Sequence, residues 1–95
     1  MVLIYGGVLV TESEVASVTE AARAFQATCQ AEDGCIDYVL SWDIAQPNRI
    51  RLVEAWATEE DYKAHTGQPH VQEWSAFVKA ASAEAPAFNR HIFAG

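Results

Sequence analysis

Hydrophobic positions along this chain recur first with the period of a strand and then with that of a helix. From Val2 to Val10 both alternating sets are apolar, Val2/Ile4/Val8/Val10 on one face and Leu3/Tyr5/Leu9 on the other. That pattern predicts a strand covered on both sides. Gly6 and Gly7 in its middle mark a bulge or leave room for a close neighbour. Thr11-x-x-Glu14 has the form of a capping box. Behind it Val15, Val18, Ala22, Phe25 and Cys29 follow at spacings of three and four. A helix therefore presents that stripe to the sheet and stops near Gly34.

Two further strands, "CIDYVLSW" and "RIRLVEAW", are separated by "DIAQPN", whose Pro and Asn form turns, and together they predict a hairpin. Alternation in the second sends Ile50, Leu52, Glu54 and Trp56 to one face and Arg49, Arg51, Val53 and Ala55 to the other. Glu54 thus shares a face with apolar residues. Thr58 caps a short helix whose first turn carries Glu59, Glu60 and Asp61, acids that the helix dipole favours there. Gly67 and Pro69 break the pattern, and Pro69 suits the first turn of another helix, with His70, Trp74, Phe77, Val78 and Ala81 as its inward stripe. After Pro86, "AFNRHIFAG" alternates as a last strand.

The order β-α-β-β-α-α-β, with the two later helices sharing one helical slot, is the split βαβ, ferredoxin-like arrangement of the α+β class. It is a four-stranded antiparallel sheet with helices on one face. The other sheet face then needs cover, and a second copy of the chain, a homodimer, is the simplest source.

Composition narrows the function classes. Ninety-five residues fit one domain, 1–95, and a chain this short buries only about 60–65% of its unfolded surface, which favours self-association. Hydrophobic residues make up 51% of the chain, yet no apolar run approaches the ~20 residues of a membrane span. The apolar start lacks a basic n-region and a cleavage site, so it reads as a first strand of a cytoplasmic protein rather than a leader. A net charge of -7 repels phosphate backbones and anionic lipid, so neither nucleic acid nor a membrane is expected as a partner. Cys29 and Cys35 flank "QAEDG" with no second pair, and read as reduced thiols rather than a disulfide framework or a zinc site.

Candidate chemistry gathers around Glu54. A carboxylate on an apolar strand face needs a partner or must stay protonated. Glu54 and Trp56 on one strand, with Tyr62, His65, His70 and Trp74 on the following helices, converge if those helices pack over that face. Such a pocket, with aromatic walls, a carboxylate and imidazoles, could bind a flat organic molecule and move its proton. The bland alternatives are that His65 and Glu54 satisfy each other at the edge of a core and that the tryptophans are fillers. His65, His70 and Glu54 could be imagined as a metal triad, but the two histidines lie either side of a helix break, so no metal is expected. His91 and Asn89 on the last strand are reserve candidates. No phosphate loop, nucleophile elbow or cysteine nucleophile with a nearby base is present.

The stretch from Glu32 to Trp74 resembles the antibiotic biosynthesis monooxygenase domain, which includes the quinol monooxygenase-like proteins. The matching features are Gly34-Cys35 and Tyr38, then Pro47 and Arg49, then Glu54-x-Trp56, and finally His65, Pro69-His70 and Trp74. The resemblance implies a dimeric α+β barrel, in which the sheets of two subunits pack together. It also implies oxidation of quinols or polycyclic phenols with O₂ and no flavin, haem or metal. On it, Trp56 matches the family's strand tryptophan, Glu54 its paired acid and His65 its helix histidine; together with the spacing, His65 and Glu54 are expected as the catalytic pair and Trp56, Trp74, Tyr62 and His70 as substrate-binding residues. Haem-degrading relatives use a first-strand asparagine, which "IYGGVLV" lacks. The same pocket would also serve an isomerase that moves a proton next to a carbonyl, or a dimer that merely holds a small ligand.

Overall fold

The predicted hairpin forms one side of the sheet. Strands β2 (Cys35–Trp42) and β3 (Arg49–Trp56) pair antiparallel, β3 pairs with β1 (Val2–Leu9), and β1 pairs with β4 (Ala87–Ile92). The order β2-β3-β1-β4, with helices α1 (Val15–Gln30), α2 (Glu59–Thr66) and α3 (Pro69–Ala81), is the expected ferredoxin-like α+β fold. This computed structural model describes residues 1–85 and 87–93. Pro86, and the Ala94 and Gly95 end of the expected last strand, lie outside the described residues.

Register explains which side chains meet. Across the helix-covered face, Tyr38, Glu54, Ile4 and Arg90 stand in one row, flanked by the row Cys35, Trp56, Val2, Ile92 and the row Leu40, Leu52, Gly6, Phe88. Phe25 and Cys29 of α1 pack on Val2, Ile4, Tyr38 and Trp56. Val18, Ala22, Val78 and Ala81 close the other end against Val8, Val10 and Ile50. The opposite face carries the row Val39, Val53, Tyr5, Asn89 and is open. Tyr5 and Val53 are each 42% exposed, so a single copy leaves the second face of β1 uncovered.

Two local expectations change. Thr11 makes no side-chain cap; its carbonyl takes the Glu14 N–H at 2.8 Å in a 3₁₀ turn, Glu12–Glu14, and the α-helix starts at Val15. Glu14 accepts from Ser17 at 3.4 Å instead of reaching back. Nor do Gly6 and Gly7 form a bulge, because β1 pairs in continuous register on both sides. They serve the other expectation, room for a neighbour: a Cβ on Gly6 would run into the Ala87 carbonyl of β4. Among the described residues a register shift falls in β2, between Cys35 and Asp37.

The predicted cap at Thr58 is present, its hydroxyl oxygen accepting from the Asp61 N–H at 3.1 Å. Gly34, at φ +77, lies in the left-handed region, and a Cβ there would overlap the Asp61 carboxylate. The α1–β2 turn is thereby pressed onto the start of α2.

Candidate active site

Burial of a carboxylate on β3 organises the site. Glu54 is 4% exposed and accepts the Trp56 indole N–H at 2.8 Å. Burial raises its pKa above the ordinary glutamate value, against the opposing pull of that N–H and of His65; Glu32 adds to the rise. His65, also 4% exposed, reaches Glu54 with Nε2 at 3.7 Å. Its other nitrogen, Nδ1, lies 2.8 Å from Glu32 Oε2. A carboxylate only accepts, so Nδ1 donates its hydrogen to Glu32, and Nε2 faces Glu54. His70 Nε2 lies 3.0 Å from the same Glu32 oxygen.

Glu32 was not among the expected site residues. It lies in the α1–β2 turn within a short acidic run, "AEDG", that reads by itself as a solvated loop. Only the tertiary contact with the α2–α3 junction turns it inward.

Between helices and sheet lies a cavity of about 280 Å³, walled by Ile4, Leu52, Tyr62, Val71, Trp74 and Phe88, with Glu54, His65 and Tyr38 presenting polar atoms. That is near the lower end of small-molecule sites. Trp74 stacks on Phe25, centroids 4.8 Å apart and planes 9° apart, which fixes the aromatic wall. Arg90 lies over the Tyr62 ring, 5.3 Å from its centroid. Burial, followed by the charge of Glu54, holds both the Tyr38 and the Tyr62 hydroxyl above the ordinary phenol value. Both stay neutral donors.

The structure therefore brings Glu54, His65, Tyr62 and Trp74 to one cavity. Trp56 does not line it. The ring is completely buried, packs 4.5 Å from the His65 ring between centroids, and spends its N–H on Glu54. His70 faces an outer groove with Thr28 and Phe77 and meets the site from behind, through the Glu32 carboxylate and ring contacts with Phe25 and His65 at 5.8 and 6.4 Å between centroids. His91 and Asn89 stand on the open sheet face, where His91 stacks on Tyr5 at 5.6 Å. Cys29 and Cys35 are both free. Cys29, Glu32, His65 and His70 come within 4.8 Å of one another despite the helix break.

The fold recurs in solved structures. A candidate antibiotic biosynthesis monooxygenase from Deinococcus radiodurans is 20% identical with a TM-score of 0.91, covering 100% of this chain and 94% of its own. One from Nitrosomonas europaea is 22% identical with a TM-score of 0.90, covering 98% of each chain. A conserved protein from Methanosarcina mazei is 18% identical with a TM-score of 0.89, covering 95% of this chain and 89% of its own. At these identities the likeness establishes the fold alone. No curated protein matches. Residues 1–76 match the family model described as antibiotic biosynthesis monooxygenase, and the chain belongs to that family.

Proposed function

We propose that this chain is a cofactor-independent monooxygenase that oxidises a small aromatic quinol or polycyclic phenol with O₂. The observation that carries the reading is the buried His65, hydrogen-bonded to Glu32 through Nδ1, with Nε2 turned toward Glu54 beside an apolar, aromatic-walled cavity. Without a cofactor, O₂ must take electrons from the substrate, which requires a phenol or enol to be made anionic first. His65 Nε2 takes that proton, and the imidazolium formed lies between Glu32 and Glu54. The anion passes one electron to O₂, superoxide recombines with the substrate radical at carbon, and the hydroperoxide loses water to leave a carbonyl. One oxygen atom enters the product and the other leaves in water. Trp74 and Tyr62 hold the flat anion against the sheet, and Trp56 keeps Glu54 in place from behind.

The protein works as a homodimer in this reading, joined through the open sheet face, where Tyr5, Val39, Val53 and Phe93 are uncovered in one copy. Among the described residues no helix is long and apolar enough to cross a membrane. The two free thiols suit a reducing compartment, and we place the protein in the cytoplasm.

Incubation of the pure, chelator-treated protein with a panel of quinols, following O₂ uptake and then product, tests this. One O₂ consumed per carbonyl formed supports it, and His65→Ala should lower turnover by ~10² to 10⁴ while still binding substrate. Rearranged product without O₂ uptake identifies an isomerase, and saturable binding without turnover identifies a ligand carrier. Either result refutes the oxygenase reading.

A further inference from the structure

Behind the cavity wall, four side chains from three parts of the fold converge. Cys29 comes from the last turn of α1, Glu32 from the turn after it, His65 from α2 and His70 from the first turn of α3. Each offers one donor atom, and all four atoms lie within 4.8 Å of one another. Cys29 and His65 are buried and the other two half-buried. We propose that Cys29, Glu32, His65 and His70 form a divalent-cation site of zinc type behind the substrate cavity, sharing His65 with it.

The donor chemistry points to that ion class. One sulfur, two imidazoles and one carboxylate suit zinc and its neighbours, whereas magnesium and calcium prefer oxygen throughout. Bonds of about 2.0 to 2.3 Å in a tetrahedron put donors about 3.3 to 3.8 Å apart. The present Glu32 contacts of 2.8 Å to His65 and 3.0 Å to His70 need open by only about half an ångström to reach that spacing. Thiolate and carboxylate together cancel a double positive charge, and the chain's net charge of -7 draws cations toward it.

Coordination changes where the protons sit. The Cys29 thiol gives its proton to solvent on binding. His65 turns Nδ1 to the ion and carries its hydrogen on Nε2, facing Glu54, now 3.7 Å away. A ligating histidine that directs its second N–H toward a carboxylate is the usual outer arrangement of zinc sites. Of the four ligands only His65 lines the cavity, so the ion would pin the α2–α3 junction to α1 from behind the cavity wall. With a hydrogen on Nε2 the metal-bound His65 has no lone pair left to take a substrate proton, so an occupied site would silence the base of the proposed oxygenation, and metal binding is tested apart from turnover.

Hydrogen bonds to Glu32 also satisfy both imidazoles without an ion, so metal binding has to be measured directly. The chelator-stripped protein is titrated with Co²⁺ as a coloured probe and then with Zn²⁺ in competition, with no substrate present. One ion per chain is expected, with a thiolate charge-transfer band in the near ultraviolet and the strong visible bands of four-coordinate cobalt. Cys29→Ser should remove the charge-transfer band. His70→Ala, at a half-buried position whose folding circular dichroism can check, should weaken Zn²⁺ by more than the ~10 to 10² typical of losing an outer-shell partner. His91→Ala should change nothing. Failure to bind either ion overturns the proposal, as does binding that persists unchanged in both Cys29→Ser and His70→Ala.

Discussion

Replacing Glu32 by alanine removes the acceptor on which two imidazoles depend. His65 is almost fully buried, so its Nδ1–H at 2.8 Å would face no partner, and His70 would lose a contact at 3.0 Å from a more open position. A hydrogen bond to a charged group contributes about 1.5 to 3 kcal/mol, and an orphaned buried donor costs about 1 to 3 kcal/mol. With the His70 contact discounted for solvent, Glu32→Ala should destabilise by about 2 to 4 kcal/mol, or about 10 to 20 °C in Tm for a domain this size. Glu32→Gln is the discriminating partner. Both histidines use the same carboxylate oxygen, so a glutamine oxygen in that position keeps both contacts and loses only the charge. It should cost about 1 kcal/mol. Both variants are measured by thermal and denaturant unfolding at fixed protein concentration with chelator present, because dimerisation and metal would each shift the midpoint. A double-mutant cycle with His70→Ala then separates the two contacts. If Glu32→Ala unfolds within ~0.5 kcal/mol of the parent, as ordinary surface substitutions do, the Glu32–histidine contacts are not stabilising and the site as described is wrong.

Other consequences can be checked in the same way. Because burial raises the Glu54 pKa in the folded protein, its favourable contribution is complete below the unfolded carboxylate value and is lost as pH rises through the folded value. Glu54→Gln, whose oxygen can still accept from Trp56, should therefore match the parent at acid pH and unfold at a higher temperature above it; a gap that closes as pH rises refutes the sign. Gly34→Ala forces a side chain into the left-handed region and onto the Asp61 carboxylate, and should cost more than ~1 kcal/mol by denaturant unfolding. Val53→Asp puts a charge at the centre of the open sheet face and should convert the proposed dimer to monomer in light scattering; a dimeric mass unchanged by the substitution refutes that interface.

Strand and helix periods carried the fold because each element buries one regular face. The Ile50, Leu52, Glu54, Trp56 row and the Val18, Ala22, Phe25, Cys29 stripe both stand where alternation and helical spacing place them. Legibility failed where geometry is set by contact at a distance. Glu32 resembles any acidic turn residue until α2 and α3 dock on it, and its partners are numbered 33 and 38 positions later. Trp56 was legible as a strand aromatic, but local alternation does not tell a fully enclosed ring from one that lines a cavity. Thr11 and Glu14 matched a capping pattern that a 3₁₀ turn forestalled, because the helix entry follows the isolated bridge between Val10 and Ser82 rather than the side-chain cap.

The Glu32 clasp also bears on when the site comes into being. Closing it joins positions 33 and 38 residues apart, whereas the β2–β3 hairpin and each helix form from neighbours in sequence. Loop closure over such spans comes at an entropic cost before any contact is made, so long-range pairings of this kind form late. A partly folded chain can hold native-like strands and helices while His65 remains undirected. Recovery of site function during refolding should then lag behind recovery of helix signal, and single-residue changes at Glu32 should speed unfolding while leaving the folding rate nearly untouched.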